Sequence, residues 1–184
     1  MRRLVVLLVI LVDIAVAGVL WHARSSHPKP RPAPDTAWSH LDPQARCDDA
    51  VQLVTHPDRW PTECRWRQPE DRLQGQSFPP PVGPPPYDRP HVEIYVAESQ
   101  TREQLAHAIA HEYGHMHHTR EFRLVSEWLA ARRLPPDTGS EVWTEDYAEV
   151  FAALFSPPSD MWRAPTPRPS PEELAALKAE FFTP

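Results

Sequence analysis

His111-Glu112-Tyr113-Gly114-His115 decides how this chain is read, together with Glu145-Asp146-Tyr147-Ala148-Glu149 further on. The first five residues have the form H-E-x-x-H. On a helix, positions i and i+4 stack on one face, so His111 and His115 present imidazole nitrogens to a single ion. Glu112 falls about 100° round the helix axis from His111, beside such an ion rather than on it. That is where a general base belongs if it is to take a proton from a water held by the metal. A catalytic zinc also needs a third protein ligand and an open position, and Glu145 is the candidate for the third.

The segments around the motif supply the scaffold. His91-Val92-Glu93-Ile94-Tyr95-Val96-Ala97 alternates with period two, which predicts a strand with Val92, Ile94 and Val96 on one face. Thr101 and Gln104 form a capping box that opens the helix carrying the motif. Leu105, Ala108, Ile109 and Met116 form its core side. Arg120 to Arg133 reads as a second amphipathic helix, with Phe122, Val125, Trp128 and Leu129 inward. Pro135-Pro136-Asp137-Thr138-Gly139 stops it. Ser140 then starts a helix whose core stripe is Trp143, Tyr147, Val150, Phe151 and Leu154. Glu145, Ala148, Glu149 and Ala152 share the neighbouring face, where small Ala148 permits a close approach or simply favours helix. Ser170-Pro171-Glu172-Glu173 opens a last helix to about Phe181, with Leu174, Leu177 and Phe181 as its stripe. His117 and His118, at the end of the motif helix, read as solvated groups or helix-end cations rather than ligands.

Among the zincins, the metzincin extension needs glycine where the chain has His118 and histidine where it has Glu121, and the inverted H-x-x-E-H order is absent. The remaining pattern resembles the gluzincins, whose third ligand is a Glu on a later helix within a run close to E-x-x-x-D. Glu145-x-x-Ala148-Glu149 fits, with Glu in place of Asp at the end. Its continuation Val150-Phe151-Ala152 is similar to the E-x-x-A-[DE]-x-F-A run of the small minigluzincins. The similarity spans residues 91 to 155. It implies that Glu145 ligates Zn²⁺ and that Glu149 accepts a hydrogen bond from the far nitrogen of one ligand histidine, fixing its tautomer. Glu149 is also the reserve candidate for the ligand. The resemblance further implies that strand 92–96 borders the cleft and pairs with extended substrate; an ordinary sheet strand is the alternative.

The remaining segments concern export and stability. Met1-Arg2-Arg3 precedes an almost wholly apolar run from Leu4 to Leu20, interrupted by Asp13 and Gly18. Residues 1–24 read as a signal anchor, or as a signal peptide cleaved after Ala17. Residues 25–37 alternate proline with other residues, a polyproline II spacer, and 38–184 form the folded domain. Its two cysteines, Cys47 and Cys64, are the chain's only ones, and an even count in an exported chain reads as a disulfide. Leu41 to Val54 reads as a short helix, with Ala45, Cys47 or Asp48, Val51 and Val54 near one face. Trp60 and Trp66 are core candidates. Residues 67 to 90 are polar and then proline-dense, a surface loop at the cleft rim. A net charge of −6 with no basic patch argues against a nucleic-acid partner.

The expectation is therefore an α+β, minimal zincin-like metallopeptidase domain. Its reaction is zinc-dependent peptide bond hydrolysis outside the cytoplasmic membrane, on a peptide or protein substrate. Zinc on His111, His115 and Glu145 polarises the carbonyl and Glu112 moves the proton. His91, Tyr95, Tyr147 and Arg163 are the candidates for stabilising the oxyanion. One alternative is an inactive zincin-fold binding module anchored at the membrane. Another is a membrane-tethered spacer in which the motif arises by chance.

Overall fold

The computed structural model describes residues 38, 40–68, 70–71, 74–79, 89–120 and 125–182, all within the second of the chain's two compact units, Pro34–Pro184. The N-terminal segment 1–24, the spacer 25–37, the proline run over 80–88 and Phe122 lie outside the described residues. Among the described residues no helix is long and apolar enough to cross a membrane.

The described residues are α+β, with a three-stranded sheet and five α-helices among them. Asp42 caps α1 (Pro43–Ala50) by accepting from the Ala45 amide, and a 3-10 turn (Val51–Leu53) follows. Thus the helix expected over 41–54 is shorter than its apolar pattern. Its inner face carries Arg46, Cys47 and Ala50 rather than Ala45. Arg46 is 2% exposed, with its guanidinium between the rings of Trp38 and Trp66 at 4.6 and 4.7 Å.

The sheet runs β1 (Thr62–Trp66), β3 (His91–Val96), β2 (Gly75–Phe78) in spatial order. β1 is parallel to β3, with Cys64 opposite Ile94, and β2 is antiparallel to it, with Gly75 opposite Ile94. Val92, Ile94 and Val96 are buried as their alternation predicts. β1 and β2 depart from the sequence reading, which leaves 62–66 unassigned and makes 67–90 a loop. Neither strand is apolar. Gln and Ser in β2 are held extended by pairing with β3, so tertiary hydrogen bonding decides where propensity does not. The disulfide Cys47–Cys64 joins α1 to β1. Cross-linking a loop of this size contributes about 3 kcal/mol in the chain-entropy account.

α2 (Arg102–Arg120) carries the motif. Its capping box forms both ways: Thr101 N–H donates to Gln104 Oε1 at 3.0 Å and Gln104 N–H to Thr101 Oγ1 at 3.2 Å. Leu105, Ala108, Ile109 and Met116 are buried, as is Tyr113, whose hydroxyl donates to the Trp60 carbonyl at 2.9 Å and so pins the helix to the start of β1. α3 (Val125–Ala131) buries Trp128 and Leu129. Arg133, at φ 54, ends it in a Schellman turn, with Leu134 N–H bonded to Leu129 O and Arg133 N–H to Ala130 O. α4 (Ser140–Phe155) packs along α2, and α5 (Pro171–Phe181), with the Ser170–Glu173 capping box, lays Leu177 and Phe181 into the same core.

Candidate active site and metal centre

α2 and α4 meet where both carry small residues. A β-carbon built on Gly114 would stand 2.7 Å from the α-carbon of Ala148 and 3.0 Å from the β-carbon of Phe151. Only glycine permits this approach, and Ala148, fully buried, completes it. The residues flanking that contact, His111 and His115 on α2 and Glu145 and Glu149 on α4, are thereby brought face to face.

Their atoms converge. His111 Nε2 lies 3.1 Å from His115 Nε2, and each is 3.3 Å from an oxygen of Glu145. Three donors on a tetrahedral ion with bonds of about 2.0–2.1 Å would stand about 3.3 Å apart. The donor set thus fits a small divalent cation, and among the described residues these three form one of two His/Glu groups close enough to hold one. Glu149 sits behind His111, with Oε1 3.1 Å from Nδ1. The contact is off the line of a well-aligned hydrogen bond, and both atoms are buried with no other hydrogen-bond partner.

Glu149 has a second imidazole that the motif does not announce. Its Oε2 accepts from His107 Nε2 at 3.2 Å, and His107 Nδ1 is 3.3 Å from Ser156 Oγ. The signal was a series with period four, His107, His111, His115, which places all three on one side of α2. Sequence reasoning also missed Asp146, which is fully buried. It accepts from Trp128 Nε1 at 3.1 Å, bidentately from Arg132 at 2.8 and 2.8 Å, and from Thr166 Oγ1. This charged clamp holds the turn of α4 that bears Glu145 against α3 and the segment before α5.

The electrostatics favour positive charge where the donors meet. Burial pushes His111 down, but the carboxylates of Glu145 and Glu149 outweigh it and hold it up at about 9. Conversely, His111 and His115 hold Glu145 well below the usual carboxylate range. Burial pushes Glu149 up, yet His107 and His111 bring it to about 2. Glu112 goes the other way: burial pushes its carboxyl up.

Glu112 is 8% exposed and lies against β2. A β-carbon on Gly75 would stand 2.8 Å from its Cγ and Oε1, so glycine at 75 makes the room. His111, Glu112, His115 and Glu145 share a cavity of about 420 Å³ with Arg67, Gln74, Gly75, Gln76, Ser77 and Arg163. The strand bordering this cavity is therefore β2. Strand 92–96 is the central one, paired on both sides, and has no free edge for an extended chain. That expectation is corrected, because the two strands enclosing it carry too little apolar pattern to be seen.

Of the oxyanion candidates only Arg163 lines the cavity. Tyr147 bonds His117 through its hydroxyl at 2.9 Å, and the Tyr95 hydroxyl donates to Glu93. His91 belongs to the second His/Glu group, with Glu63 and Glu93 of the paired strands. His117 and His118 are not solvated as expected. Both are half-buried, His117 against Phe151 and Phe182 and His118 edge-on to Trp143, because the C-terminal part of α2 is covered by α4 and the residues after α5. Comparison with family models, curated proteins and solved structures gives no match.

Proposed function

We propose that this chain is a zinc-dependent peptide hydrolase of the gluzincin type, acting outside the cytoplasmic membrane. The observation that carries the reading is the meeting of His111 Nε2, His115 Nε2 and the Glu145 carboxylate in a cavity that Glu112 also lines. His111, His115 and Glu145 would hold the ion, and Glu149 stands on the far nitrogen of His111, where it orients that ring. The position of Glu145, 3.3 Å from both Nε2 atoms, supports it over Glu149 as third ligand. When bound, zinc supplies Lewis acidity toward water and toward a carbonyl oxygen. Glu112 takes the proton from the attacking water and delivers it to the leaving amine. It packs against Gly75 at the cavity wall and is not one of the three converging donors. Among the described residues β2 is an edge strand, and that edge offers backbone groups to an extended peptide. The disulfide and the basic-then-apolar N-terminus support an oxidising compartment, with the domain anchored to the membrane or released after Ala17.

The test is the full chain, purified in mild detergent, beside Glu112→Gln, Glu145→Ala and Glu149→Ala. Glu112→Gln should keep zinc and melting temperature and lose turnover of a peptide library by about 10²–10⁴-fold. Glu145→Ala should lose the metal, and Glu149→Ala should weaken it by roughly 10–100-fold. Wild-type protein that binds zinc but cleaves nothing would replace this reading with a binding module, and wild-type protein that takes up no zinc would end it.

A further inference from the structure

The lining of the cavity also carries two arginines, Arg67 and Arg163, in a chain of net charge −6. Elsewhere three arginines pair with acids, Arg65 with Asp71, Arg102 with Asp49 and Arg132 with Asp146, while Arg46 and Arg59 donate to backbone carbonyls away from the cavity. Arg67 and Arg163 also have neutral acceptors, but these two line the cavity. Arg67 Nε and Nη2 donate to the backbone carbonyl of Asp71 at 3.4 and 3.1 Å, while the carboxylate of that residue is taken by Arg65. Arg163 Nη2 donates to the side-chain carbonyl of Gln74. Among the described residues neither guanidinium has a carboxylate within ion-pair distance. Burial in the cleft lowers Arg163, the carboxylates of Glu149, Glu112 and Glu145 raise it, and the like charge of Arg67 lowers it.

Their placement relative to the chemistry is fixed. Gln74, which receives Arg163, is tied through its own carbonyl to Tyr95 N–H at 2.9 Å. Gly75, the next residue, is the one against which Glu112 packs. The guanidinium of Arg163 is thus connected to the residue assigned as the base through two consecutive residues, Gln74 and the first residue of β2. Two cationic forks pinned by neutral groups and facing a shared cavity are a receptor for a planar anion, which a guanidinium grips bidentately.

We propose that Arg163 and Arg67 form a carboxylate-binding subsite, so that the preferred substrates are peptides carrying a carboxylate close to the bond cleaved. This deepens the hydrolase reading and rests on it. The carboxylate comes either from the C-terminus, which makes the activity that of a carboxypeptidase, or from an acidic side chain, which makes it an endopeptidase selective for acidic sequences.

Three labelled probes separate these sources: an acetylated alanine tetrapeptide with a free C-terminus, its C-terminal amide, and the amide with one alanine replaced by glutamate. Binding is read by fluorescence anisotropy on the zinc-loaded full chain bearing Glu112→Gln, which removes turnover from the measurement. At least one acidic probe should bind roughly ten- to a hundredfold more tightly than the neutral amide, the size expected for charge-assisted hydrogen bonds. Arg163→Ala in that background should erase the difference, and Arg163→Lys, which keeps charge but loses the fork, should restore part of it. Both side chains are exposed to the cleft, so melting should not change. Preference for the free C-terminus identifies the carboxypeptidase form, and preference for the glutamyl amide the endopeptidase form. Equal binding of all three probes overturns the proposal. So does an Arg163→Ala enzyme that loses kcat alone and keeps its discrimination, the mark of an oxyanion role. Cleavage of neutral peptides without acid preference would sink the subsite and leave the hydrolase standing. Discrimination without any cleavage would sink the hydrolase and leave the subsite.

Discussion

Substituting Gly114 by alanine tests whether the close contact of α2 and α4 assembles the site. The added β-carbon would meet the Ala148 α-carbon at 2.7 Å, the Phe151 β-carbon at 3.0 Å and the Ala148 β-carbon at 3.2 Å. None of these is the tip of a flexible side chain. Restoring ordinary carbon contact, about 3.5–4.0 Å, requires α4 to retreat by about 1 Å. Overpacking of this kind costs about 1–3 kcal/mol, and replacing a mid-helix glycine by alanine returns about 1 kcal/mol. The net loss is therefore about 0–2 kcal/mol, and a domain of this size melts about 2–4 °C lower per kcal/mol. The effect on the metal should be larger than the effect on stability. Glu145 and Glu149 ride on the helix that moves, whereas His111 and His115 do not, so the Glu145 oxygens, now 3.3 Å from the two histidine nitrogens, are pulled out of register. We expect zinc affinity, measured by competition with a chromophoric chelator, to fall more than tenfold, alongside a small melting shift in the metal-free protein. Adding Ala148→Gly should recover little, because the closest atom is the Ala148 backbone and not its methyl group. Wild-type zinc affinity in Gly114→Ala would refute the idea that this contact sets the donor spacing.

Two further predictions concern the scaffold. Asp146→Ala removes the carboxylate that pairs with Arg132, whose side chain is 7% exposed and keeps the Pro167 carbonyl as an acceptor. It should cost about 3–5 kcal/mol in urea denaturation, and a loss below about 1 kcal/mol would mean that water compensates Arg132. Arg133→Gly relieves a non-glycine residue at φ 54 and should raise stability by about 0.5–1 kcal/mol; a lower melting temperature would contradict the left-handed assignment.

What could be read from the sequence was local. The spacing of His111 and His115, the Thr101 and Ser170 capping boxes, the alternation of β3 and the apolar stripes of α2, α4 and α5 each depend on residues within a turn or two of one another. They sit where the sequence puts them. What could not be read depends on partners far along the chain. β2 is a strand because β3 offers it hydrogen bonds, and Gly75 within it looked like a loop residue until Glu112 was found against it. Asp146 has no signal of its own in the sequence, and only the arrival of Arg132 and Thr166 from other elements makes it a buried anchor. The role of Ala148 was undecidable from its own helix, since its meaning lies in Gly114 on another.

Glu112 carries the distinction between an enzyme and a zinc-stabilised module. A carboxylate at 8% exposure costs folding free energy unless it is paired, and among the described residues nothing donates a hydrogen bond to Glu112 or pairs with it. Burial pushes its carboxyl up, the expected response of such a group. The fold accommodates it by giving up a side chain at Gly75, in the strand that walls the cavity. By contrast, the carboxylates that serve structure here are saturated: Asp146 has four donors, and Asp71 is gripped by Arg65. A module that used the ion only for stability would gain by replacing Glu112 with an apolar residue and filling position 75. Retaining such an acid at the cavity wall, beside His111, His115 and Glu145, is what proton transfer as its function would require.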